Sequence, residues 1–275
     1  MDYDIRITVL VDNKTSRADL IAEHGLSLWI EYKEKRILFD TGQSDAVIKN
    51  AKQLGVDLAR TDAIVISHGH YDHTGGLSAV LDIAVKAKIY LHPAAIETKF
   101  IRKASGVKLI GMSDSAKKAI QGRHVIWTVT PAQLFYGMTV SGQVPRISNF
   151  EDVGGAFFVD ENCQSPDEIL DDQTLFIEST KGLVVVFGCA HSGVVNTLDY
   201  VTKLTKQSNI YAIIGGMHLI NANLTRIENT IEAFKKYDIQ KIVPLHCTGQ
   251  EATEKMKKAF GEKCMSLEAG AKIVF

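Results

Sequence analysis

Ten residues, Ser67–Gly76, read SHGHYDHTGG and place three histidines and an aspartate within six positions. Neutral imidazoles and a carboxylate are ligands for zinc, and also for manganese or iron. The segment follows AIVIS (Ala63–Ser67), a short apolar run of the kind that forms a buried strand. In α/β sheets, ligands sit beyond the carboxyl ends of such strands. His68 and His70, two apart in an extended loop, project to the same side. Asp72 and His73 fall at the entry to the next helix and point at a neighbouring position. Four donors on so short a turn crowd one tetrahedral ion but can serve two adjacent ions. An incidental His-rich surface loop would not be expected directly after a buried strand.

The elements that must position this loop alternate between strand and helix patterns. Ile5–Val11 is β-branched and alternating. Ser27–Glu31 and Arg36–Phe39 flank the polar turn Tyr32–Lys35, which predicts a hairpin; Ser44–Leu54 and Leu77–Leu81 have helical spacing, and Lys88–His92 reads as a strand. The second half repeats the order. Thr174–Glu178 and Leu183–Phe187 flank a turn, Val194–Leu204 is helical, Asn209–Gly215 is a buried strand, Leu224–Tyr237 is amphipathic, and Lys241–His246 is a strand. The spacing repeats too: Asp40 precedes His70 by 30 residues, and Gly188 precedes His218 by 30. Internal repetition of this kind predicts an α/β fold of two related halves, each a sheet covered by helices on its outer face. The stretch from about 93 to 170, rich in glycine, fits the repeat poorly and reads as an insertion that caps the site, or as peripheral loops. The expectation is a single domain over 1–275 with that insertion.

Composition narrows the function class. Charged residues make up 23% of the 275 and the net charge is −1, which offers nothing to draw in nucleic acid or an anionic membrane. The start MDYDIRITVL lacks the basic and apolar regions of a secretory leader, and no apolar run approaches a membrane span. The four cysteines, Cys163, Cys189, Cys247 and Cys264, form no C-x-x-C pair, and a chain of this length does not need disulfides for stability. A cytoplasmic protein with reduced thiols is expected.

The pattern H-x-H-x-D-H after a strand resembles the signature of the metallo-β-lactamase superfamily, and ILFDTG with Asp40 resembles the strand motif that precedes it there. GCAHSGVVN (Gly188–Asn196), GGMHL (Gly215–Leu219) and PLHCTG (Pro244–Gly249) are similar to one branch, which holds dihydropterin-ribofuranosylaminobenzene phosphate synthases and metal-dependent hydrolases. The resemblance covers most of the chain and implies the family's four-layer αβ/βα sandwich with two divalent metal ions. Zinc is expected, with manganese or iron as alternatives. It implies His68, His70 and His191 at one ion and Asp72, His73 and His246 at the other, with Asp40 orienting the loop by hydrogen bonds. The family's bridging aspartate in a G-D motif is replaced here by Gly188–Cys189, which leaves Cys189 either a ligand or a buried structural thiol beside the centre. His218 occupies a position equivalent in the repeat to the metal loop and is expected to contact substrate or support a ligand. His92 reads as structural, and His24 and His124 have no supporting context.

Divalent ions lower the pKa of water toward about 7 and hold anionic groups. The resemblance therefore implies a hydrolase acting on a small anionic ester or phosphate, with Asp72 ligating and orienting the nucleophile. The alternative it implies is a synthase-type transferase, in which the ions assist departure of a pterin methyl diphosphate. GGMHL and GCAHSG would then offer backbone N–H groups to phosphate. A nuclease, which should show a basic exosite, and a non-catalytic metal-bound sensor are the remaining readings. A homo-oligomer is compatible with the sequence.

Overall fold

The computed structural model describes residues 5–275; the reading of the N-terminus as lacking a leader rests partly on residues 1–4, which lie outside that range. In chain order the elements are β1 Ile5–Val11, β2 Ser27–Tyr32, β3 Lys35–Phe39, α1 Ala46–Leu54, β4 Ala63–Val65, α2 Tyr71–Thr74, α3 Leu77–Ile83, β5 Lys88–Leu91, β6 Phe100–Lys103, β7 Gly106–Leu109, α4 Asp114–Ala119 and β8 Val125–Trp127. They continue as β9 Ala132–Phe135, β10 Met138–Val140, β11 Phe157–Phe158, β12 Leu175–Ser179, β13 Gly182–Phe187, α5 Val194–Thr205, β14 Ile210–Gly216, α6 Leu224–Lys236, β15 Lys241–Leu245, α7 Gln250–Phe260 and β16 Lys272–Val274. The chain divides into two compact units. The first is Met1–Val129 with Ala156–Asp171 and Glu268–Phe275; the second is Thr130–Gly155 with Asp172–Leu267.

In the first unit a seven-stranded sheet runs in the order β16-β1-β2-β3-β4-β5-β8. Neighbours among the first four strands are antiparallel, and β3, β4, β5 and β8 are parallel. Parallel neighbours need crossover connections, and α1, α3 and α4 provide them. Each helix turns an apolar stripe to the sheet: Val47, Ala51, Leu77, Val80, Leu81 and Ala116 pack with Leu38, Ile64, Ile89 and Leu91 in one buried cluster. Helix α1 stops where Gly55 adopts a left-handed φ of 71° and its N–H caps the carbonyls of Ala51 and Lys52. A small sheet of order β11-β6-β7 belongs to the same unit.

The second unit holds a six-stranded sheet of order β15-β14-β13-β12-β10-β9. Strands β12 and β13 form an antiparallel hairpin, and β13, β14 and β15 are parallel. Helices α5 and α6 make the crossovers, and their apolar faces (Val194, Leu198, Val201, Ile227, Ile231, Phe234) close over Val185, Phe187, Ile213 and Ile242. The sequence repeat is thus structural: hairpin β2–β3 followed by β4 and β5 has the same connectivity as hairpin β12–β13 followed by β14 and β15. Residues 93–170 do not follow that repeat. They add β8 to the first sheet, β9 and β10 to the second, and form the small three-stranded sheet.

Candidate metal centre

In the first unit, the chain leaves β4, passes through the loop Ser67–His70 and turns into α2, with His70 as its N-cap residue in an extended conformation at φ −68°, ψ 147°. His68, His70, Asp72 and His73 are all buried. The His68 ring lies 4.5 Å from that of His70 and 4.3 Å from that of His73, centroid to centroid. His68 Nε2 and His70 Nδ1 are 2.9 Å apart, a separation that needs a proton or a cation between the two lone pairs. His73 Nε2 is 3.7 Å from Asp72 Oδ2.

Asp40, fully buried and at a left-handed φ of 58° after β3, organises this loop. Its Oδ1 accepts the Ser67 N–H at 2.7 Å, and its Oδ2 accepts both the Ser67 hydroxyl and His73 Nδ1–H at 2.7 Å. With its only proton given to Asp40, the Ser67 oxygen accepts from His68 Nδ1 at 2.9 Å. His68 and His73 therefore carry the proton on Nδ1 and the lone pair on Nε2, the tautomer of a metal-ligating imidazole. Burial pushes His70 down to about 3, against opposing contributions from Asp72 and Asp171, so its ring is neutral at pH 7.

A second buried carboxylate grips the other side of the loop. Asp171 Oδ2 accepts the Gly69 N–H at 2.6 Å, and its Oδ1 accepts from Lys99 Nζ at 2.8 Å. Lys99 also donates to Asp167 at 3.0 Å. Burial acts to lower the pKa of Lys99, but Asp171 and Asp167 outweigh it and raise it. Gly69 itself admits no side chain: a Cβ there would stand 2.1 Å from the Ala95 carbonyl oxygen. His24, which had no context in the sequence, has one here, with Nε2 3.2 Å from Asp72 Oδ2. His92 caps the following short helix through Nδ1, which accepts from Ala94 N–H.

In the second unit, the loop after β13 carries Cys189 and His191. Ala190 between them has φ 55°, and Gly193 at φ 97° leads into α5. His191 is fully buried and donates Nδ1–H to the Val153 carbonyl at 2.8 Å, which again puts the lone pair on Nε2. Ser192 N–H is held by Asp172 Oδ2 at 2.8 Å. Burial raises Asp172 to about 6, opposed by its hydrogen bonds and by Arg146, whose Nη1 donates to the His191 carbonyl. Glu151 accepts from Val195 and Asn196 N–H, both at 2.9 Å, in the first turn of α5, where the helix dipole favours an anion.

His218 follows β14 at φ 44° with its ring 4.2 Å from that of His191. Its backbone N–H points at Cys247 Sγ, 3.3 Å away. Burial is the largest influence on His218 and lowers its pKa, but the hydrogen bond and charge interaction with Cys247, with the Gly154 backbone, together outweigh it and raise it. Burial favours the Cys247 thiol, yet Cys189, His246 and His218 together pull it well below its ordinary value. His246 follows β15 directly and is buried, at φ 48°.

The structure thus clusters His68, His70, Asp72 and His73 around Asp40 in one unit, and His191, His218, Cys189 and Cys247 in the other. Neutral imidazoles with fixed tautomers beside a carboxylate are a donor set that fits a divalent ion. Asp171, Lys99 and His24 were not legible as site residues, because their partners are distant in sequence. Cys247 was read only as part of PLHCTG.

The Metallo-beta-lactamase superfamily model matches residues 21–195 of the chain. The 7,8-dihydropterin-6-methyl-4-(beta-D-ribofuranosyl)-aminobenzene-5'-phosphate synthase of Methanocaldococcus jannaschii is 33% identical over 266 residues, covering 92% of this chain and 90% of that one. An uncharacterised protein of the same organism is 33% identical over 254 residues, covering 92% and 94%. The crystal structure of Tm1679, described as a metal-dependent hydrolase of the beta-lactamase superfamily, matches with a TM-score of 0.85 at 31% identity over 98% of each chain. The matched residues, the relatives and the histidine-bearing loop after β4 agree on one conclusion: the chain belongs to the metallo-β-lactamase superfamily.

Proposed function

We propose that this chain is a metal-dependent hydrolase of a small anionic ester or phosphate, using two divalent ions, with zinc the expected metal. The observation that carries the reading is the loop Ser67–Thr74, where Asp40 fixes the tautomers of His68 and His73 and burial keeps His70 neutral. In this reading His68, His70, Asp72, His73, His191 and His246 are the ligands. Bound divalent ions would supply water acidified toward pKa about 7 and positive charge for an anionic substrate. Asp72 would orient the attacking water through its carboxylate, steadied by His24 at 3.2 Å. His218, packed on His191, would act by supporting that ligand. The name of the Tm1679 structure, a metal-dependent hydrolase, supports the class.

A synthase-type transferase is the second reading, favoured by the 33% identity over nine-tenths of the chain to a protein named as such a synthase. A screen of metal-loaded protein against phosphodiesters, thioesters, lactones and pterin diphosphates, run in ¹⁸O-labelled water, separates the two. Hydrolysis places the label in the product, whereas transfer to an aminobenzene acceptor leaves it out. Replacing His68 and His70 together by Ala is expected to remove the metal held by these ligands, and turnover with it, while leaving the far-UV spectrum unchanged. Turnover that survived in this variant would end the proposal.

A further inference from the structure

The second unit also contains donors of a different chemical kind. Cys189 Sγ, Cys247 Sγ and a ring nitrogen of His218 lie within 4.8 Å of one another. Both thiols are buried, at 2% and 4% exposure, and His218 is largely enclosed. We propose that Cys189, His218 and Cys247 form a binding site for one thiophilic cation of the zinc class, with three donors that are not among the six ligands named for the proposed hydrolytic centre.

Three observations support the site. The first is distance. A tetrahedral ion with bonds of about 2.3 Å to sulfur and about 2.0 Å to nitrogen sets its donors roughly 3.5–3.8 Å apart. From an outer limit of 4.8 Å, closure requires side-chain shifts of about an ångström. The second is backbone. The donors come from the exits of three parallel strands, β13, β14 and β15, and each exit contains a non-glycine residue in the left-handed region. These are Ala190 at 55° after Cys189, His218 itself at 44°, and His246 at 48° before Cys247. Such conformations persist where surrounding structure over-determines them, and they gather at functional sites. The third is packing. A Cβ on Gly216 would stand 2.6 Å from Cys247 Sγ and 2.4 Å from the Gly188 carbonyl oxygen, so glycine is what lets this sulfur seat against β14.

The donor chemistry gives the selectivity. Two sulfurs and one imidazole favour zinc-class and copper(I)-class ions over magnesium or manganese, unlike the nitrogen and oxygen donors of the first unit. Three protein ligands leave one position for water or an anion. Cys163 and Cys264, equally buried, stand in no such group among the described residues and serve as internal controls.

The test uses the full-length protein, reduced and metal-free, titrated with Co²⁺ under anaerobic conditions. Sulfur bound to cobalt produces a thiolate-to-metal charge-transfer band in the near ultraviolet, which nitrogen and oxygen ligands do not. The band is expected to saturate at one equivalent and to persist in the His68→Ala/His70→Ala variant and in Cys163→Ser/Cys264→Ser. It should vanish in Cys189→Ser and Cys247→Ser, with one zinc fewer bound per chain, and shift in His218→Gln. Survival in the His68→Ala/His70→Ala variant makes the result independent of the hydrolase reading. Should the serine variants not fold, X-ray absorption at the zinc edge of the loaded wild-type protein reads the sulfur shell directly. No band and no zinc–sulfur shell in the wild-type protein, or a Cys189–Cys247 disulfide forming on air exposure without any loss of cation capacity, would overturn the site.

Discussion

Two protons decide what the loop after β4 offers to an electrophile. Both are set by Asp40, directly at His73 and through the Ser67 hydroxyl at His68. An Asp40→Asn amide keeps the size and tolerates the left-handed backbone, but its single oxygen cannot accept from Ser67 N–H, Ser67 hydroxyl and His73 together. The expected outcome is a loss of roughly 10- to 100-fold in metal affinity with the fold retained, read by competition with a chelator. His70 gives a pH dependence. Its folded pKa of about 3 lies below the unfolded value of 6.5, so between these values the unfolded chain binds more protons. The stability tied to its neutral form is complete above pH 6.5 and declines as pH falls toward 3. Urea midpoints of the metal-free protein at pH 7.5 and 5 should differ, and His70→Asn should narrow that difference. The cluster of His68, His70, Asp72 and His73 was legible in the sequence because the four follow one strand within six residues. Asp171 was not, since it meets Gly69 from 102 positions away and no local pattern links the two.

At the level of elements, the long periodic segments were read to within a residue or two. Helices α1, α5 and α6 have clear apolar stripes, and the hairpins have polar turns between β-branched runs. The short pieces between residues 93 and 170 were not resolved, because strands of two to four residues, some wholly exposed as in β7, have no period to read. That region nonetheless anchors the loop. Lys99, just before β6, neutralises Asp171 and Asp167, which lie past β11. Lys99→Met would leave two buried carboxylates uncompensated and should cost about 3–5 kcal/mol in chemical denaturation. Converting Asp167 and Asp171 to Asn in the same chain should recover part of that loss while leaving metal binding weakened. Full recovery of metal binding would mean that the grip on Gly69 is dispensable.

Across the whole molecule, the repeated hairpin-and-crossover topology explains why the two halves could be recognised from spacing alone. Each half closes its own core, the first under α1, α3 and α4 and the second under α5 and α6. Among the described residues no helix is long and apolar enough to cross a membrane. Protection should follow burial. In hydrogen exchange read by mass spectrometry, β4 and β13, buried along their length, should exchange slowest, and the β6–β7 hairpin fastest. Equal protection in β7 and β13 would contradict that ordering.

The seat of Gly69 has a consequence for the timing of ion capture. With a carbonyl where its side chain would be and buried carboxylates holding the backbone on either side, the donor loop has one place to lie before any cation arrives. The entropy of ordering is therefore lost when the chain folds, and a cation bound as proposed would meet a rigid cradle that need not rearrange around it.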